Sequence, residues 1–114
     1  MNEQKLPPLN CAWWTPSDET RHPQDREFLE SLLQAGFRTF FSRRGLIGAL
    51  QDKRMVDLIY RGHGESGKRW RLGFIEGEQE IGSRVVTQLP SHSHAAIAWM
   101  NNEPIEDVME LLPP

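Results

Sequence analysis

Apolar and polar positions change period several times along the chain. Phe28, Leu29, Leu32 and Leu33 fall on one stripe at helical spacing. Ahead of them Ser17, Asp18 and Thr20 are capping types, Pro23 suits a first helical turn, and Asp25 and Glu27 favour a helix N-terminus; Gly36 after Ala35 is a stop signal. The pattern predicts a helix over about 23–35. Phe37 to Ser42, short and rich in aromatic and β-branched types, reads as a strand. Leu46, Ile47, Ala49 and Leu50 fit one face of a second helix, about 44–53.

From Met55 the period becomes two. Val56, Leu58 and Tyr60 alternate with Met55, Asp57, Ile59 and Arg61, and Trp70, Leu72 and Phe74 alternate with Arg69, Arg71 and Gly73. Two strands with one buried face each, joined by a Gly-rich connection, predict an antiparallel hairpin. EGEQEIG, Glu76 to Gly82, reads as the next turn, Ser83 to Leu89 as a further strand before Pro90, and SHSH, Ser91 to His94, as an exposed loop. Ala95 to Met100 fits strand and helix equally. At the C-terminus Asn102 can cap, Pro104 sits in a first turn, and Ile105, Val108, Met109 and Leu112 follow the i, i+3, i+4, i+7 rule up to Pro113 and Pro114.

Residues 1–16, with Pro7, Pro8 and Pro16 and no period, read as an extended arm attached through Trp13 and Trp14, and 17–114 as a single domain. The expected fold class is α+β, with an antiparallel sheet of three to four strands, two helices in the N-terminal half and a C-terminal helix.

The connection GHGESGK, Gly62 to Lys68, matches all but the last position of a phosphate-binding loop. Such a loop needs a hydroxyl for the metal and a helix N-terminus aimed at the anion. Arg69 occupies the hydroxyl position and RWRLGF continues as a strand, so the stretch reads as a hairpin loop.

A length of 114 residues corresponds to one domain with one core, and four Trp and five Phe offset a modest apolar content of 38%. A single cysteine, Cys11, calls for no oxidising compartment, and the N-terminus has neither the basic end nor the apolar run of a signal peptide, so the default expectation is a cytoplasmic protein with no membrane contact. The net charge of −3 is unevenly spread: residues 37–71 hold nine basic and three acidic residues, and the remainder four basic and 13 acidic ones. Two electrostatic faces are therefore expected.

Candidate chemistry is sparse. His92 and His94 are two apart and are weak metal candidates, with Cys11 or His63 as distant third ligands. Glu76, Glu78 and Glu80 complete no cation-loop pattern, Ser66 and Ser93 lie beside histidines without a nucleophile elbow, and Cys11 beside Ala12 and Trp13 reads as a packed thiol. No catalytic residue and no cofactor are expected. The remaining reading is a non-catalytic protein-binding module, an inhibitor, regulator or accessory subunit. It would meet a partner with a basic surface through Trp13 or Trp14 and the acidic back of the C-terminal helix, Glu103, Glu106, Asp107 and Glu110. The alternative is nucleic-acid binding through Arg43, Arg44, Arg61, Lys68, Arg69 and Arg71, with Tyr60 and Trp70 available to stack if exposed. A small enzyme or metal protein built on the histidines is the third.

Overall fold

The computed structural model describes residues 6–65, 67–87 and 92–112. β4 (Arg54–Gly64) and β5 (Gly67–Glu76) form the predicted antiparallel hairpin. Val56 lies opposite Phe74, Leu58 opposite Leu72 and Tyr60 opposite Trp70, so the apolar phases of both strands share one face. An extra residue, Arg61, shifts the register between Tyr60 and Gly62.

The sheet grows outward from this hairpin by nearest neighbours. With β1 (Cys11–Trp13), β2 (Arg38–Ser42), β3 (Ile47–Gln51) and β6 (Gln79–Val86), it runs β1-β2-β3-β4-β5-β6, every pair antiparallel. α1 (Pro23–Gln34) packs over β2 and β3, α2 (Ser93–Met100) over β4 and α3 (Ile105–Glu110) beside β6. One core lies between sheet and helices, built around Trp14, Phe28, Leu32, Leu58, Trp70, Phe74 and Trp99. Among the described residues no helix covers the other face of the sheet, and none is long and apolar enough to cross a membrane.

Among the described residues six strands and three helices replace the expected three to four strands with two N-terminal-half helices. The segment read as a helix over 44–53 is β3. Its apolar residues satisfy helical spacing because this central strand buries groups on both sides. Ile47 and Ala49 face the helices, whereas Leu50 faces away, and a strand apolar on both faces loses its period of two. Within the stretch read as an arm, Cys11–Trp13 pairs with β2, and Trp14 is locked to Thr39 by two hydrogen bonds: the Trp14 N–H donates to the Thr39 carbonyl (2.7 Å), and the Thr39 hydroxyl donates to the Trp14 carbonyl (3.1 Å). β6 begins at Gln79, inside the expected turn, while Gln88 and Leu89 of the expected strand lie outside the described residues. Ala95 to Met100, which the pattern left open, belongs to α2.

On the face away from the helices Phe40 is fully buried and lies across Gly48, its partner on β3. A Cβ at residue 48 would stand 2.1 Å from the Val56 carbonyl oxygen and 2.7 Å from the Phe40 ring. Gly48→Ala is expected to destabilise the fold by about 1–3 kcal/mol, the usual cost of overpacking, read as a lower urea midpoint with an unchanged m-value. An unaltered midpoint would show that Phe40 does not occupy this position.

Candidate functional site

α3 is amphipathic in the way its sequence predicts. Val108 is fully buried, Ile105 and Met109 rest on the core, and Ile105 approaches Gly82 closely enough that a Cβ there would lie 3.2 Å away. This docking leaves Glu106, Asp107 and Glu110 exposed, together with Glu103 just before the helix. α2 ends in a left-handed turn: Asn102 has φ 70°, its N–H donates to the Trp99 carbonyl, and the Glu103 N–H donates to the Ala98 carbonyl. Asn102 thus ends α2 rather than capping the helix that follows, and Pro104, expected in the first turn of α3, takes its N-cap position instead.

The tight turn sets the two helices side by side with a groove of about 720 Å³ between them. Ile97, Ala98 and Leu111 form its apolar floor, and Glu103, Asp107 and Glu110 line its rim, with His94 beside them. Leu111 is 51% exposed, so apolar surface is presented to solvent in a groove that three carboxylates also line. The groove is anchored from beneath by Arg54. Its guanidinium lies 3.7 Å from the centroid of the Trp99 ring and donates hydrogen bonds to the carbonyls of Trp99 (2.9 Å) and Glu103 (2.7 Å).

The other predicted partner residues are placed elsewhere. Trp14 is 2% exposed and belongs to the core. Trp13 is half-buried on β1, with the Arg38 guanidinium 3.9 Å from its ring centroid. β1 and β6 are opposite edges of the sheet, so Trp13 and α3 do not share a surface. Glu106 is exposed but does not line the groove.

Arg43 and Arg44 in the β2–β3 turn and Arg61, Lys68 and Arg69 on the β4–β5 hairpin gather at one end of the sheet. Gly62 and Gly67 adopt φ 93° and 102° there, and Lys68 pairs across the hairpin with His63; β5 stands where a phosphate loop would need a helix. The aromatic side chains of this end are already engaged. Trp70 is 1% exposed and its indole N–H donates to buried Asp25 (2.9 Å). The Tyr60 ring sits 4.4 Å from that of His22, and its hydroxyl is hydrogen-bonded to His63 Nδ1 (3.0 Å). Burial pushes the Asp25 carboxyl up, against the lowering influence of His22, the Trp70 hydrogen bond, Lys68 and Arg21.

His92 is buried at the start of α2, not exposed as the loop reading has it, and burial pushes its imidazole pKa down, whereas His94 is exposed. Among the described residues no group of three or more His, Cys, Asp or Glu side chains is arranged to hold a metal.

Arg71 does not join the basic end. It faces away from the helices, pairs with Glu80 at 2.5 Å and donates to the Ser83 hydroxyl at 3.1 Å. The hydrogen bond from Arg71 holds Glu80 below the usual carboxylate range. Asp57 stands beside them between Gly48 and Gly73, its cross-strand partners; a Cβ at residue 73 would lie 2.6 Å from its Oδ1. Asp57 is pushed up to about 6 by burial and then by the Glu80 charge, with Arg71 and the Gly73 N–H opposing. Its position on the polar phase of β4 suggested a solvent-facing residue. The available signal was apolar Met55 and Ile59 on that same phase, which mark a face only partly open to water.

The folded state holds the Asp57 proton more tightly than the unfolded chain, whose aspartate titrates near ~3.9. The group therefore favours the fold at acid pH, and its contribution is lost as pH rises through about 6. The stability of the wild-type protein relative to Asp57→Asn is expected to fall between pH 4 and 6.5, by urea unfolding at each pH; a pH-independent difference would show that Asp57 titrates normally. No family model matches the chain, and no curated protein or solved structure matches it either.

Proposed function

We propose that the protein is a small non-catalytic protein-binding module, an inhibitor, regulator or accessory subunit, whose α2–α3 groove receives a basic segment of a partner protein anchored by an apolar side chain. The observation that carries this reading is the pairing of an exposed apolar floor, Ile97, Ala98 and Leu111, with a carboxylate rim, Glu103, Asp107 and Glu110. Apolar area supplies affinity there, and the carboxylates select a cationic neighbour and steer its approach. The chain has no Lys or Arg after Arg84, so this stretch of sequence carries no cation to offset the rim. The groove replaces the composite of Trp and acidic helix that the sequence suggests, since Trp14 is core and Trp13 lies at the far edge of the sheet.

The five cations gathered at the opposite end favour a second reading, nucleic-acid binding through Arg43, Arg44, Arg61, Lys68 and Arg69. It is the weaker of the two. Base stacking requires a free aromatic face, and Tyr60 and Trp70 are packed against each other and against His22.

Affinity capture from the native host lysate, with and without nuclease, separates them. The expected result is one stoichiometric protein that survives nuclease and whose capture falls at least about tenfold with Asp107→Lys/Glu110→Lys, because reversed charges at an interface cost several kcal/mol. Arg61→Ala/Lys68→Ala/Arg69→Ala should leave that capture unchanged. Recovery of nucleic acid, or a protein lost on digestion and dependent on the hairpin cations, would overturn the proposal.

A further inference from the structure

A second cleft lies at the basic end of the sheet, lined by Cys11, Ser42, Leu46 and Ile59 from the face that the helices leave uncovered and by Ala12 and Phe41 from the other. Cys11 pairs with Ser42 at the end of the short strand β1. Leu46 and Ile59 directly follow the Ile47–Leu58 pair, so all four residues lie in adjacent rows of that face. Because β1 begins only at Cys11, no edge strand among the described residues covers the sheet beyond it, and a cleft of about 940 Å³ remains. That size is within the ~300–1,000 Å³ range of small-molecule sites.

Its walls are mainly apolar, contributed by Leu9, Ala12, Leu46 and Ile59, and two cations, Arg43 and Arg44, stand at its side. Leu9 is 89% exposed, the largest such value among the described large apolar side chains, and it sits in a turn closed by the Cys11 N–H donating to the Pro8 carbonyl (3.0 Å). The opposite wall is also braced. The Gly45 N–H donates to the Ser42 carbonyl (3.1 Å), the Leu46 N–H to the Ser42 hydroxyl (3.0 Å), and the Arg21 guanidinium to the Arg43 carbonyl (3.0 Å). The turn backbone carrying both arginines is thus held in place before any ligand arrives, which lowers the ordering cost of binding.

We infer that this cleft binds a monomeric amphipathic acid, a small molecule with an aliphatic or aromatic body and one carboxylate or sulfonate. The body would cover Leu9, Leu46 and Ile59 while the acid group pairs with Arg43 and Arg44. A fully polar anion would leave the apolar walls wet, and a neutral or cationic amphiphile would leave the two guanidiniums without a counter-charge. The site is independent of the α2–α3 groove, which lies on the helix layer.

The test uses laurate below its micelle concentration, with dodecyltrimethylammonium as the opposite-charge control, followed by calorimetry and by the alkylation rate of Cys11, the chain's single thiol, which lines the cleft. One-to-one laurate binding is expected, with slower alkylation when laurate is bound. Arg43→Ala/Arg44→Ala should weaken binding by about tenfold, the equivalent of about 1.4 kcal/mol. Leu9→Ser, an exposed change that spares the fold, should weaken it independently. Absence of saturable binding, equal binding of the cationic amphiphile, indifference to the arginine substitutions, or association only with phosphatidylglycerol vesicles would each overturn the inference.

Discussion

The Arg54–Trp99 contact holds the C-terminal helices to the sheet. Arg54 begins β4 on the helix side, its guanidinium lies against the Trp99 ring, and it donates to the carbonyls of Trp99, in the last turn of α2, and of Glu103, in the turn that follows. The Trp99 carbonyl carries part of the negative charge of a helix C-terminus, where a cation is favoured. The Trp99 indole N–H returns the contact by donating to the Met55 and Ile75 carbonyls of β4 and β5, at 3.1 and 3.2 Å. Glu76 completes the set, 3.7 Å from Arg54 Nε. A residue that composition counts among free basic charges is thereby internal, and the turn it braces, Asn101 to Pro104, decides how close α2 and α3 lie and whether a groove exists between them.

Charge segregation follows from the strand order. In an antiparallel meander successive turns alternate between the two ends of the sheet. The β2–β3 and β4–β5 turns, with Arg43 and Arg44 in the first and Arg61, Lys68 and Arg69 beside the second, therefore fall together, and the β3–β4 and β5–β6 turns, with Asp52, Lys53 and Glu78 in them and Glu76 beside them, fall at the other end with the close of α2. The uneven distribution along the chain thus becomes in part a spatial one: of the nine cations of residues 37–71, five gather at one end, Arg38 and Lys53 lie at the other, and two are withdrawn, Arg54 into the helix contact and Arg71 into its pair with Glu80. Electrostatic steering of partners to one end or the other is the physical consequence.

The elements legible in the sequence were those with one wet face and one dry face. α1 was bounded by Pro23 and by Gly36, whose φ of 98° marks the chain reversal, and the β4–β5 hairpin kept its period of two. β3 imitates helical spacing because both of its faces are apolar, one against the helices and one beneath Phe40. α2 was ambiguous for a related reason: Ala95, Ala96, Trp99 and Met100 are buried while Ile97 and Ala98 are also apolar, so no polar stripe declared the helix. Asn102 carried a cap signal that applies equally to the start of one helix and the end of another, and only its left-handed backbone distinguishes them.

The sequence by itself determined a helix at about 23–35, the long hairpin with Gly62 to Lys68 at its tip, and the apolar stripe and acidic back of the C-terminal helix, because each rests on local periodicity or on a residue type that a local conformation demands. Tertiary structure decided the rest. Ile97 and Ala98 join Leu111 as a groove floor, Asp57 is shielded between two glycines, and Trp13 is separated from α3 by the width of the sheet. Periodicity reports which side of a single element is dry. The partner that dries it, and the surface left over after packing, depend on strand order and register, which arise from contacts between residues far apart in the chain.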